Sequence, residues 1–142
     1  EGLVAGEVVV QERRPNKRVF TITGGGRSAL AEWQQERAPS AILKSELLVK
    51  AFASDLGPAD ALIESLEEQI AFAREKLAIY ERFREQMLRG RDEETFLRTT
   101  RRAGPYLTLK RGLMFEQGNL QWAEWAITAL RARHSRASAA AR

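Results

Sequence analysis

The chain has 142 residues, of which 44% are hydrophobic and 30% are charged, and its formal net charge is +4. This composition is typical of a globular protein with one ordinary domain or two small ones, and it is too apolar for a disordered chain. The chain has no cysteine and one histidine. The lack of cysteine excludes disulfides, thiolate catalysis and cysteine-ligated zinc, and the single histidine argues against a histidine metal cluster or a Ser-His-Asp triad.

The positive charge is unevenly distributed. Residues 12–18 hold four basic side chains and one acidic one, and residues 91–142 hold ten basic and five acidic ones. A net charge of this size permits an anionic partner without requiring one. No apolar run approaches the roughly 18 residues of a membrane span, and the first residues lack the pattern of a signal peptide. We therefore expect no membrane partner.

The first predicted element is a β-hairpin. Residues 7–11 are rich in β-branched side chains, and residues 18–22 alternate between two faces. The segment 13–17 between them contains a proline followed by an asparagine, which is typical of a turn. Since an isolated two-stranded hairpin is marginally stable in water, this one must pack on another element.

A helix is predicted directly after the hairpin. Thr23 is its N-cap, and Ala29, Leu30 and Trp33 form an apolar stripe. The helix should end before Pro39, because the residue that precedes a proline disfavours the helical conformation. Three glycines at 24–26 either fray the first turn or bring backbone amides close to an anion such as a phosphate. Fraying is the simpler interpretation.

The rest of the chain is predicted to be helical. Ser40 caps a helix that ends near residue 56, and a long helix follows over residues 58–88, with apolar residues in the near-heptad spacing of a coiled coil. Asp92 caps a short helix. The last helix begins at residue 104 and ends at about residue 133. Residues 134–142 lack bulky side chains and are predicted to be a disordered tail.

The last helix carries two apolar stripes, which indicates contact on two sides. One side covers the long helix of the same chain, and the other needs a further partner. Gly112 and Gly118 each lower the helix propensity by about 1 kcal/mol. Close approach of another helix at an interface would offset this cost. The alternative is a local weak point or bend.

No catalytic constellation is found in the sequence. The carboxylates Asp60, Glu64, Glu67 and Glu68 have the ordinary spacing of a solvated helix face. The glycines at 24–26 lack the Lys-Ser/Thr that follows in a nucleotide-binding loop. We therefore expect no enzyme, no cofactor and no metal site.

The order of the elements is that of a winged helix, in which a hairpin with a basic tip is followed by helices. The tip residues that would face a DNA backbone are Arg13, Arg14, Asn16, Lys17 and Arg18. Such contacts add salt-dependent affinity without reading the base sequence. On charge alone, a solvated turn that serves solubility is an equal alternative.

Two stretches resemble the PadR family of bacterial transcriptional regulators. The first is similar to the wing and the following helix, and it consists of Arg14-Pro15-Asn16-Lys17-Arg18-Val19-Phe20-Thr21-Ile22-Thr23 and Gly26-Arg27-Ser28-Ala29-Leu30-Ala31-Glu32-Trp33. The second is similar to the helical C-terminal domain of the longer members, and it includes Glu46-Leu47-Leu48-Val49-Lys50-Ala51-Phe52 and Leu107-Thr108-Leu109-Lys110-Arg111-Gly112-Leu113. Other winged-helix families share the wing motif, whereas its combination with the helical domain is specific. Gly24-Gly25 replaces the usual Glu-Ala, which removes a carboxylate favourable to the helix dipole.

The resemblance implies a mainly α fold with a small β-hairpin (α+β). Residues 1–38 would be an incomplete winged-helix DNA-binding domain, and residues 39–133 a helical dimerisation and effector domain with long coiled-coil-like helices. The family's reading helix precedes the wing and is not among these residues. Since such a helix reads base edges in the major groove, this chain by itself is expected to bind DNA weakly and without sequence preference.

The resemblance also implies a function. The full-length protein would be a cytoplasmic, homodimeric repressor that binds double-stranded DNA and is released by a small-molecule or stress signal. The alternative is a helical dimer that acts as a protein interaction module without binding DNA.

Two further sets of residues follow from the resemblance. The dimer interface is assigned to Ile63, Leu66, Ile70, Leu77, Leu113, Leu120 and Ile127. Some relatives bind phenolic or other aromatic ligands between their two domains, and a pocket for a small aromatic effector is assigned to Tyr106, Phe115, Trp122 and Trp125. Packing in a core is the more common use of such aromatic residues.

Overall fold

The computed structural model describes residues 2–40 and 43–140, and it describes side-chain surroundings as far as residue 133. The elements are β1 (Val4–Val9), β2 (Lys17–Ile22), α1 (Gly24–Trp33), α2 (Glu46–Phe52), a 3-10 turn (Ser54–Leu56), α3 (Asp60–Leu88), α4 (Glu93–Thr99) and α5 (Gly104–Ala140). The described part of the chain is thus mainly helical with a two-stranded sheet, which confirms the predicted fold class. The chain divides into two units, Glu1–Lys44 and Ser45–Arg142. This boundary lies a few residues after the predicted one between residues 38 and 39.

The first unit is built on the hairpin. β1 and β2 pair antiparallel in a register that sets Val4 opposite Ile22 and Val9 opposite Lys17. Gly6 lies opposite Phe20, and a Cβ atom at Gly6 would come within 3.0 Å of the Phe20 ring. The glycine therefore leaves room for the ring to lie across the neighbouring strand.

Thr23 joins the hairpin to α1. Its hydroxyl accepts a hydrogen bond from the Gly26 amide at 3.0 Å and donates one to the Gly2 carbonyl at 2.7 Å, and its amide donates to the Leu3 carbonyl at 3.1 Å. The predicted N-cap is confirmed. A Cβ atom at Gly26 would collide with the Leu3 backbone. Close packing against Leu3, just before β1, therefore explains one of the three glycines, and α1 is helical from Gly24 onwards.

The second unit consists of α3 and α5 with two short helices beside them. Residues of both long helices form one core cluster (Leu62, Leu66, Ala123, Ala126 and Ile127). A smaller cluster holds Leu88, Phe96 and Tyr106, so it joins the end of α3 to α4 and the start of α5. Ala73 and Ala123 are completely buried, and their small side chains allow α3 and α5 to approach closely.

The bounds of α2, α3 and α5 differ from the prediction, and α3 begins at Asp60 rather than at residue 58. α2 begins at Glu46 with Ser45 as its N-cap, because the Ser45 hydroxyl accepts a hydrogen bond from the Leu48 amide at 3.4 Å. The predicted cap at Ser40 was wrong. α5 continues as helix to Ala140 rather than ending near Arg133, which accords with the high helix propensity of alanine in this segment. The last two residues of the predicted tail lie outside the described residues.

Candidate functional site

The tip of the hairpin concentrates positive charge on an exposed turn. Arg13, Arg14, Lys17 and Arg18 are all exposed. Within the described ranges, none of these four cations has a carboxylate at ion-pair distance. Lys17 and Arg18 are consecutive strand residues and so point to opposite faces of the hairpin. An anionic surface can therefore be met by cations from more than one side of the tip.

Asn16 has a structural role in this turn. Its side-chain oxygen accepts a hydrogen bond from the Gln11 amide at 3.2 Å, which ties the two ends of the turn together. The sequence assigns Asn16 to DNA contact along with the four cations. In the structure its oxygen is used within the hairpin, where it fixes the backbone of the turn that carries the cations.

Three of the predicted interface residues lie inside the chain's own core. Leu66, Leu113 and Ile127 are 0%, 4% and 6% exposed. The packing of α3 against α5 therefore accounts for their apolar character within a single chain, and their assignment to an interface stays a prediction.

The other four residues of the predicted interface set are partly buried. Ile63 and Ile70 pack against the same core, and Leu77 and Leu120 are half-buried. The interface assignment of this set stays a prediction.

A different apolar line remains on the surface of α5. Leu107, Met114 and Trp125 are 59%, 60% and 67% exposed. With Gly118 they follow one another at spacings of seven, four and seven residues, which places them on one face of a helix. A Cβ atom at Gly118 would meet nothing within 4 Å. We call these four residues the α5 stripe.

The four predicted pocket aromatics do not come together. Tyr106 is buried beside Phe96, with 5.0 Å between the ring centroids. Trp122 packs against the larger core, and Trp125 belongs to the exposed α5 stripe. Phe115 lines a groove between α3 and α5. At about 100° per residue, Phe115, Trp122 and Trp125 lie within about 80° of one another around α5, whereas Tyr106 lies on another side. The pocket assignment of this set stays a prediction.

The surroundings of Tyr106 combine a buried hydroxyl with an ion pair. The hydroxyl has no hydrogen-bond partner among the described residues. Burial raises the pKa of Tyr106, and the nearby Glu93 carboxylate raises it further. Lys110 donates a hydrogen bond to Glu93 at 2.8 Å, which lowers the pKa of Glu93 and raises the pKa of Lys110. This cluster holds α4 against α5.

The groove between α3 and α5 has a volume of about 770 Å³. Its apolar lining comes from both helices, and it includes Tyr80, Phe83, Met87, Leu109, Gly112 and Phe115. The sequence did not predict this groove, although it assigned one of the lining residues, Phe115, to a pocket. The sequence feature that points to it is an aromatic residue on α3, Tyr80, that faces a glycine on α5, Gly112.

The described part of the chain contains no group of three or more His, Asp or Glu side chains that could hold a metal ion. None of its helices is long and apolar enough to cross a membrane.

Comparison with known proteins identifies the helical unit. Residues 43–131 match the profile of the family described as "Virulence activator alpha C-term", which is more than half of the chain. No curated protein matches the chain. The solved structure of the Vibrio cholerae virulence activator AphA is 27% identical with a TM-score of 0.64, and the match covers 93% of this chain and 70% of that one.

Two structures of Bacillus subtilis PadR share the fold. PadR in complex with operator DNA is 19% identical with a TM-score of 0.60, over 91% of this chain and 70% of that one. PadR in complex with p-coumaric acid is 20% identical with a TM-score of 0.61, over 92% of this chain and 70% of that one. The resemblance seen in the sequence is thereby confirmed: the chain belongs to the Virulence activator alpha C-term family and is PadR-like.

Proposed function

We propose that this chain is part of a DNA-binding transcriptional regulator that acts as a homodimer. The observation that carries the proposal is the hairpin tip, where four exposed cations lack carboxylate partners among the described residues. The regulators named in the comparison support the same conclusion, since AphA is a virulence activator and PadR is solved with operator DNA.

The role of the hairpin is to bind phosphates. Arginine and lysine side chains on a β-hairpin can follow a DNA backbone, and such contacts position a protein without reading bases. The hydrogen bond between Asn16 and Gln11 holds the backbone of the turn in shape, so only the cationic side chains have to be ordered on binding. This chain should accordingly bind DNA of any sequence with modest affinity.

The α5 stripe is the proposed dimer contact. If a second copy crosses α5 antiparallel at position 116, Leu107 lies opposite Trp125 and Met114 lies opposite Gly118. Such a two-fold contact is self-complementary. It places the long Met114 side chain against the open backbone at Gly118. It would also cover apolar side chains that are more than half exposed in the single chain.

Repression, relieved by a small aromatic effector, is the proposed mode of action. The complex of PadR with p-coumaric acid supports an aromatic ligand. AphA is named an activator, so the direction of regulation has to be measured. A reporter gene under the control of the protein's own operator decides it. Higher expression on deletion of the protein supports repression, and lower expression contradicts it.

DNA binding is tested by fluorescence anisotropy with a labelled duplex of arbitrary sequence. The double variant Arg14→Ala/Lys17→Ala should bind more weakly than the unmodified chain. The matched control, Arg82→Ala/Arg101→Ala, removes the same charge from exposed positions outside the hairpin and should bind as the unmodified chain does. Equal loss in both variants, or no binding by the unmodified chain, would favour the alternative of a protein interaction module.

Dimerisation is tested by sedimentation velocity. Met114→Glu introduces a charge into the centre of the α5 stripe and should shift the protein towards monomer. Phe52→Glu is the control, because Phe52 is 91% exposed and lies on α2, outside the stripe. A dimer that survives Met114→Glu contradicts the assignment of this interface.

A further inference from the structure

The lysines of the chain differ in whether their amines have a carboxylate partner. Of the five lysines, Lys50, Lys76 and Lys110 lie 2.7, 3.7 and 2.8 Å from a carboxylate oxygen. Lys17 and Lys44 are exposed. Neither has a carboxylate at ion-pair distance within the part of the chain whose side chains the structure describes. These two lysines therefore present amines that no neighbouring carboxylate covers.

The surroundings of Lys17 are cationic. Arg13, Arg14 and Arg18 lie within four residues of it, and the segment 12–18 holds four basic side chains and one acidic one, a net charge of +3. A hydrogen bond inside the turn fixes the backbone, so these charges stay close together. A cluster of one sign raises the local concentration of the opposite ion. The tip of the hairpin therefore concentrates small anions as well as DNA phosphates.

Lys44 provides the contrast. The one charged residue within five positions of Lys44 along the chain is an acidic one, Glu46. Lys44 thus offers an exposed amine of the same chemistry without a cluster of cations beside it. Any reaction that depends on the amine alone should occur at both lysines, and a reaction that depends on an anionic reagent should favour Lys17.

Lys17 is also the one nucleophile of the tip. The segment 12–18 contains no serine, threonine, cysteine or histidine, and an arginine guanidinium stays protonated and does not attack a carbonyl carbon. Arginines bind phosphate oxygens through charged hydrogen bonds. The arginines beside Lys17 can therefore hold the phosphate of an acyl phosphate and stabilise the phosphate group as it leaves.

We propose that Lys17 is a site of acetylation by an acyl phosphate, and that this modification weakens DNA binding by the hairpin. The neutral Nζ amine attacks the acetyl carbonyl carbon and forms a C–N bond. The bond from that carbon to the phosphate oxygen breaks, inorganic phosphate leaves with the electron pair, and the amine proton passes to solvent. The product is an uncharged amide, so the tip loses one positive charge. The effect on DNA rests on the proposed function, whereas the acetylation does not.

The site is tested on the whole chain in the absence of DNA. One sample is treated with acetyl phosphate, which is an anion, and another with N-hydroxysuccinimidyl acetate, which is uncharged. Mass spectrometry gives the rates at Lys17 and Lys44. The ratio of the Lys17 rate to the Lys44 rate should be about threefold or more higher with the anionic reagent at physiological salt. This excess should disappear at about 1 M salt, where charges act over only about 3 Å.

Two variants identify the groups that recruit the reagent. Arg14→Gln/Arg18→Gln should slow the reaction of Lys17 with acetyl phosphate and leave its reaction with the uncharged reagent unchanged. Arg82→Gln/Arg101→Gln removes the same charge from exposed positions outside the hairpin and should change neither rate. Equal rate ratios for the two reagents, or a ratio for acetyl phosphate that salt does not alter, would overturn Lys17 as a preferred site.

The effect on DNA is measured separately by fluorescence anisotropy. Treatment with acetyl phosphate should weaken DNA binding by the unmodified chain. Lys17→Arg keeps the charge and cannot be acetylated at this position, so its affinity should survive the same treatment. DNA affinity that falls equally in both proteins, or in neither, would overturn the regulatory role of Lys17. Selective acetylation of Lys17 in a chain that binds no DNA would support the site and contradict the proposed function.

Discussion

Replacement of Leu66 by alanine tests the packing of α3 against α5. Leu66 is 0% exposed and belongs to the core cluster with Ala123 and Ile127. The change removes three carbon atoms, and their transfer from the core costs about 2.4 kcal/mol at about 0.8 kcal/mol each. The cavity that remains adds roughly 1 kcal/mol or more at about 24 cal/mol per Å³. The free energy of unfolding should therefore fall by about 3 to 4 kcal/mol, a large part of the stability of a typical domain.

The measurement is urea unfolding followed by circular dichroism at 222 nm. Both proteins are compared at equal concentration, because assembly would add to the apparent stability. Leu56→Ala is the matched control: the same atoms are removed from a side chain that is 88% exposed. Its free energy of unfolding should stay within about 0.5 kcal/mol. A loss below about 1 kcal/mol for Leu66→Ala, or equal losses for both variants, would refute the packing described for this core.

Three further predictions concern particular contacts. Gly26→Ala should disrupt the junction of α1 with the hairpin, because its Cβ atom would collide with the Leu3 backbone and lie 2.8 Å from a side-chain carbon of Ile22. Faster amide exchange at Thr23 checks this prediction, and Gly24→Ala is the control that should be tolerated. Unchanged exchange at Thr23 in Gly26→Ala would contradict the contact. Tyr106→Phe removes a buried hydroxyl that has no partner among the described residues, so the melting temperature should stay equal or rise, whereas a fall of several degrees would mean that the hydroxyl is hydrogen-bonded. The Lys110 ammonium lowers the pKa of Glu93 in the folded state. The ionised Glu93 carboxylate therefore stabilises the fold above its unfolded pKa of about 4.3, and this stabilisation is lost as the pH falls through the folded pKa. Unfolding measured from pH 7 to pH 2 should therefore show a weaker loss in acid for Glu93→Gln than for the unmodified chain or for Glu94→Gln, and equal acid losses would contradict the role of the ion pair.

Local signals in the sequence predicted most of the fold. Thr23 and Asp92 act as N-caps, since Asp92 accepts a hydrogen bond from the Thr95 amide at 2.8 Å. The turn around Pro15 and Asn16 lies between two paired strands. These features depend on hydrogen bonds between residues a few positions apart, so their chemistry is visible in a short stretch of chain. Ser40 was the exception, because Ser45 offers the same chemistry five residues later.

The choice of partners for each helix face could not be predicted in the same way. α5 carries two apolar stripes, and periodicity gives the angle of a residue on its helix without naming the neighbour it meets. Leu113 therefore looked like an interface residue and is buried within the chain, while Met114 beside it remains on the surface. The same reason hid the α3–α5 groove. A glutamate such as Glu116 is expected at the surface, and only packing against α3 shows that it is buried.

The dependence of DNA affinity on salt tests the central claim most directly. Each phosphate contact releases a counterion, so the logarithm of the binding constant falls linearly with the logarithm of the salt concentration. The slope should be steep for the unmodified chain. In Arg14→Ala/Lys17→Ala it should become shallower by about 2 for each hairpin engaged, while Arg82→Ala/Arg101→Ala keeps the original slope. The same slope in all three proteins would contradict a DNA-binding role for the hairpin.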